Sequence, residues 1–157
     1  MRQITRRILW AWCFVALWVL VIMGLASERF SAASSSQILT LLLRWLDPDM
    51  AWERIREIHF LVRKLAHTVE YAVLAILGFR AFRITLAVPV VYVAFLSLGI
   101  VLAVAGLDEL RQSWLPTRTG SLADVALDCV GGGLGVIALI LVHRWIGVRS
   151  PVVGDGA

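Results

Sequence analysis

Two short segments hold nearly all the side chains that could do chemistry in this chain. The first is "RKLAHTVEY", with Arg63, Lys64, His67, Glu70 and Tyr71. The second is "DELRQSWLPTRTGSLADVALD", with Asp108, Glu109, Gln112, Arg118, Asp124 and Asp128. An imidazole titrates near neutral pH, so His67 could transfer protons or bind an anion. Arg63, Lys64 and Arg118 could hold a phosphate or another anion through charge-assisted hydrogen bonds. Carboxylates could orient those cations, and Asp108, Glu109 and Asp128 could hold a divalent metal through oxygen ligands.

Spacing gives these residues helical faces. Arg63, His67 and Glu70 recur at i, i+4, i+7, with Lys64 and Tyr71 flanking them. Asp108 and Gln112 are i, i+4 neighbours, and so are Asp124 and Asp128. The Asp128 face continues through Gly131, Gly132 and Gly135, and the Gly131–Gly135 pair permits close helix packing. These glycines lack the strand and lysine of a phosphate loop. "SLAD" (Ser121 to Asp124) fits a capping box in which Asp124 reaches back to Ser121, a structural reason for that acid beside a binding one. Asp128 lies a turn deeper and has no such reason. The plain alternative is an ion-pair network that only holds helices together, with Arg118–Asp124 or Arg63–Glu70 as its pairs.

The elements that must carry these residues are membrane spans. Of 157 residues, 60% are hydrophobic and only 17% charged, with a mean hydropathy of +0.84. A soluble domain holds about 45–50% apolar residues. The expected fold is all-α: a polytopic four-helix transmembrane bundle with spans near residues 8–26, 61–79, 84–107 and 125–142. A single domain over 1–148 and a disordered tail over 149–157 complete it. The second span is the least regular, because its first half carries charge. Even so, Lys64 to Arg80 covers about 24 Å of helix with a cation at each end. Span one resembles a signal peptide at "GLASERFSAAS", but its apolar core is long enough for a retained anchor. "QILTLLLRWL" and "MAWERIREIHFLV" read as two short amphipathic helices on the outer membrane surface, with "DPD" (Asp47 to Asp49) as the turn between them. Cys13 and Cys129 fall inside apolar runs and read as small buried hydrophobes.

The net charge of +4 comes from arginines scattered at span ends. They form no stripe, so a nucleic-acid partner is not expected. Short basic ends lie before span one, at "RAFR" between spans two and three, and at "HRW" after span four. The positive-inside rule places all three, and both termini, in the cytoplasm. The long first loop and the segment after Asp108 then face outward across the cytoplasmic membrane. Acids and bases inside a membrane are functional by default, because their burial is costly.

The segments "RKLAHTVEYAVLAILG", "DELRQSWLPTRTGSLAD" and "VALDCVGGGLG" together resemble the VanZ-like family, named for a membrane protein associated with teicoplanin resistance. Arg63, Lys64, His67, Glu70, Tyr71, Asp108, Glu109, Gln112, Pro116, Arg118, Asp124, Gly131 and Gly135 match its pattern in order. Two positions depart from it: Asp128 stands where relatives often have Asn, and Thr117 replaces the loop's usual Gly. The resemblance implies a multi-pass protein of the cell envelope. Three expectations follow from these readings. The first is a non-enzymatic factor whose outer polar site binds an anionic lipid headgroup or a glycopeptide-like ligand and influences teicoplanin-type susceptibility. The second is an enzyme acting on a lipid-linked phosphate such as an undecaprenyl carrier, with His67 and Glu109 catalytic and a divalent metal as an optional cofactor. The third is a structural bundle. The partners expected are membrane lipids and a lipid-linked cell-wall precursor or glycopeptide.

Overall fold

A computed structural model describes residues 2–25, 33–114 and 121–149. Five helices follow one another: α1 (Arg2–Leu25), α2 (Ala33–Leu46), α3 (Trp52–Thr85), α4 (Val90–Ser113) and α5 (Leu122–Arg149). All but α2 are long and apolar enough to cross a membrane, so the all-α, four-span expectation holds. Arg118, Pro116, most of "GLASERFSAAS" and the tail from residue 150 lie outside the described residues.

The second span differs from expectation. "MAWERIREIHFLV" is not a separate surface helix but supplies the first turns of α3, which runs unbroken for 34 residues. At 1.5 Å per residue that is about 51 Å, well beyond the roughly 30 Å of a bilayer core. Nothing in Trp52–Thr85 breaks a helix, since the stretch holds no proline and its single glycine is Gly78. "RAFR" is likewise helical, and the true link is Leu86–Pro89. Proline disfavours helix in the residue before it, and Pro89 itself becomes the N-cap of α4. α5 runs past the expected end at residue 142, through to Arg149. The turn at Asp47–Asp49 forms as read, with the Asp49 amide donating to Asp47 Oδ1 at 3.2 Å.

Side-chain contacts fix the direction of each span. Trp12 Nε1 donates to Thr85 Oγ1 at 3.0 Å, and Trp18 Nε1 donates to the Glu70 carbonyl at 2.9 Å. α1 is therefore antiparallel to α3. Arg111 Nη1 reaches the Met23 carbonyl at 3.0 Å, which joins the C-terminal ends of α1 and α4. Gly131 lies against Thr68 and Gly135 against Ala72, so α5 runs parallel to α3. The result is an up-down-up-down bundle. Arg2, Arg6, Arg7, Arg80, Arg83 and Arg144 gather toward one end, and the polar residues of α3, α4 and α5 toward the other.

The core is small and centres on Tyr71, Leu74, Ala75 and Phe79 of α3 with Val93, Val101 and Ala105 of α4. Large apolar residues such as Phe14, Leu20, Phe95, Leu102 and Ile137 point outward. A water-soluble protein rarely exposes so much apolar surface, but a bilayer covers it. The same inversion corrects the reading of Cys13, which is exposed on α1, whereas Cys129 is partly buried. In lipid, an apolar neighbourhood does not mark the core.

Candidate functional site

α3 lines the site with Arg63, Lys64 and His67, and Tyr71 is buried beside them. Its inward face is rotated relative to the face read from spacing. Tyr71 is fully buried and Lys64 and His67 are half-buried, whereas Arg63 is exposed at the mouth. The Arg63–Glu70 pair does not form. Seven residues separate the two by about 10 Å along the helix, and the Glu70 carboxyl has no partner among the described residues.

Lys64 instead pairs with Asp124 across the α3–α5 interface. Its Nζ also lies 5.4 Å from the centre of the Phe60 ring. The first turn of α5 suits Asp124, because unpaired amides there favour negative charge. The expected capping box is not formed. The Ser121 amide donates to Glu109 Oε2 of α4 at 2.6 Å, so a carboxylate from another span takes the role assigned to Asp124.

α4 brings Asp108, Glu109 and Gln112, all buried. Gln112 Nε2 donates to Asp108 Oδ2 at 2.7 Å. Arg111 Nη2 stands 3.5 Å from Asp108 Oδ1 while its other arm holds Met23 of α1. Arg111 was missed from the sequence. Its spacing of three residues from Asp108 was the available signal, but only the fold shows that it ties α1 to the site.

α5 adds Asp128, which is 2% exposed. Its Oδ1 lies 3.8 Å from His67 Nδ1, and the His67 ring stacks over Tyr71 at 6.4 Å between centroids. These residues converge because Gly131 and Gly135 let α5 sit directly on the α3 backbone. A Cβ at Gly131 would stand 2.5 Å from the Thr68 carbonyl oxygen, and one at Gly135 2.5 Å from that of Ala72.

Arg63, Lys64, His67, Glu109, Gln112, Asp124, Leu127 and Asp128 line one cleft at this end of the bundle. Around it, the Tyr71 hydroxyl, Asp108 Oδ1, Asp128 Oδ1 and two nitrogens of Arg111 are buried without a hydrogen-bond partner among the described residues. Buried polar atoms are nearly always paired, and these stand out as exceptions among the described residues. No group of three or more His, Cys, Asp or Glu side chains among the described residues is arranged to hold a metal ion. Asp108, Glu109 and Asp128 therefore do not form the oxygen cage considered for an enzyme. The other two histidines stand apart from the cleft: His59 bonds Thr40 of α2 at 3.0 Å, and His143 lies on the last turns of α5.

Fold and site together define a four-span helical membrane protein with a polar cleft sunk into one end of its bundle. The family model for VanZ/LLP1 matches residues 9–143, which is most of the chain, and the protein belongs to that family. No curated protein and no solved structure matches it.

Proposed function

We propose that this VanZ-family protein is a non-enzymatic factor of the cell envelope. Its cleft binds an anionic group carried by a lipid headgroup or a glycopeptide-like ligand, and binding alters teicoplanin-type susceptibility. The observation that carries this reading is the convergence on one cleft of ionisable residues from three spans, buried on α4 and α5 and half-buried on α3. Charged groups inside spans are costly, and they usually mark ligand or ion sites. Arg63 stands exposed at the mouth and has no ion-pair partner among the described residues, which leaves it available to an anion.

The cleft belongs to the outer face of the cytoplasmic membrane in this reading. Support comes from the arginines near the opposite end, which the positive-inside rule assigns to the cytoplasm together with both termini. The test is the inhibitory concentration of teicoplanin for a susceptible host expressing the wild type, Arg63→Ala or Glu109→Gln, with protein level measured in parallel. Graded losses of protection at unchanged abundance, larger for Arg63→Ala, are expected. Protection that merely follows abundance would reduce the cluster to a structural network.

A second reading, an enzyme acting on a lipid-linked phosphate, draws on the placement of Asp128 beside His67. A carboxylate next to an imidazole is the arrangement that orients a general base or nucleophile. The check is phosphate release by the purified protein from polyprenyl phosphates and diphosphates, with and without Mg²⁺. Release that is lost in both His67→Ala and Glu109→Gln would establish this reading, and no release from folded protein would remove it.

A further inference from the structure

Among the described residues, Asp128 is a cleft acid left without a close cation. It lines the cleft, is 2% exposed, and its Oδ1 accepts no hydrogen bond among the described residues. Its nearest base, His67 Nδ1, is 3.8 Å away, beyond hydrogen-bond length. Among the described residues, Lys64 is committed to Asp124, and Arg111 to Asp108 and Met23. Tyr71, one turn further along α3 and within electrostatic reach of Asp128 and Asp108, adds a second buried oxygen without a partner. Among the described residues the cleft thus has a polarity, with Arg63 exposed and without an ion pair at its mouth, and the unmet Asp128 oxygen in its wall, with Tyr71 buried behind it. Four residues, or about 6 Å of helix, separate the levels of Arg63 and His67. The enclosed space has room for about one water-sized group.

We propose that the cleft selects a membrane headgroup bearing a phosphate next to a primary ammonium. Arg63 holds the phosphate at the membrane edge, and Asp128, with the Tyr71 hydroxyl, receives the ammonium. This rests on the headgroup-binding reading and narrows its ligand. A primary ammonium supplies N–H donors and is about the size of a water molecule. A trimethylammonium supplies no donor and is too bulky, and a glycerol headgroup brings no charge to Asp128. The lipid rather than the soluble form is the source, because the cleft opens at the ends of apolar spans, where Leu127 is part of its wall.

The test is native mass spectrometry of the purified full chain with phosphatidylethanolamine, phosphatidylcholine, phosphatidylglycerol and diacylglycerol. The wild type should retain phosphatidylethanolamine about tenfold more than either other phospholipid, as expected for one hydrogen bond between charged groups. Asp128→Asn should remove that preference, so that phosphatidylethanolamine is retained no better than phosphatidylcholine. Equal retention of the three phospholipids by the wild type would overturn ammonium selection yet leave a phosphate site standing, and that comparison needs no variant. An undiminished preference in folded Asp128→Asn would overturn the role of this residue. Retention of every phospholipid only at the level of diacylglycerol would overturn the headgroup reading itself. Displacement of the bound lipid by an equal concentration of soluble O-phosphoethanolamine would overturn the membrane source.

Discussion

At the scale of single residues, the site depends on pairs whose partners come from different spans. Lys64 and Asp124 are each 25% exposed at the side chain, so removing one leaves the other largely desolvated. Lys64→Ala should cost about 1–3 kcal/mol of stability, read as a lower melting temperature in detergent. The double variant Lys64→Ala/Asp124→Ala should lose less than the sum of the two single losses, as coupled neighbours do. Arg111→Lys should also destabilise the bundle, because a single ammonium cannot serve Asp108 and the Met23 carbonyl together as a guanidinium fork does. An Arg111→Lys protein that melts with the wild type would show that the tie to α1 carries no weight. Most of the cleft was legible, since an acid or base inside an apolar run stands out against its neighbours. The pairing was not legible. Spacing along one helix suggested Arg63–Glu70 and Ser121–Asp124, whereas the observed partners sit on neighbouring helices and depend on how α3 is rotated.

At the scale of elements, the approach of α5 to α3 sets the width of the cleft. Gly131 and Gly135 face the α3 backbone, whereas Gly133 meets nothing within 4 Å. Gly131→Ala and Gly135→Ala should therefore each cost about 1–3 kcal/mol by overpacking, and each should reduce ligand retention by pushing Lys64 and Asp124 apart. Gly133→Ala should be neutral or slightly stabilising, since alanine is the better helix former by about 1 kcal/mol. Thermal unfolding of the three variants side by side decides this, and equal effects at all three positions would contradict the packing described. The small-residue spacing was visible in the sequence, but its partner helix was not. Helix ends were less legible than helix identity. Charges in "WERIREIHF" looked like a surface segment, yet no proline occurs between Trp52 and Pro89 to stop the helix, and the one glycine there, Gly78, is accommodated within it.

At the scale of the whole molecule, the bundle separates its charges by end. In the orientation proposed from the positive-inside rule, the start of α3 is external. In a protein carrying Cys13→Ala and Cys129→Ala, a cysteine placed at exposed Glu57 should react with a membrane-impermeant maleimide in intact cells. One placed at Arg83 should react only after the membrane is opened. The opposite pattern would invert the topology and move the cleft to the cytoplasmic face. Hydropathy made the four spans legible, and basic span ends gave their expected direction. The length of α3 beyond the bilayer was not legible, because amphipathic and transmembrane stretches that share one helix look like two elements in a linear reading.

The central claim is that the cleft holds a phosphate-bearing headgroup rather than merely binding the helices to one another. Arg63→Ala tests it most directly, because Arg63 is exposed and makes no ion pair among the described residues, so its loss should leave the fold intact. Retention of phosphatidylethanolamine and of diacylglycerol by the wild type and by Arg63→Ala should be compared in native mass spectra. The wild type should hold the phospholipid in clear excess over diacylglycerol, and Arg63→Ala should lose most of that excess at an unchanged melting temperature. An excess that survives intact in folded Arg63→Ala, or no excess in the wild type, would contradict the claim.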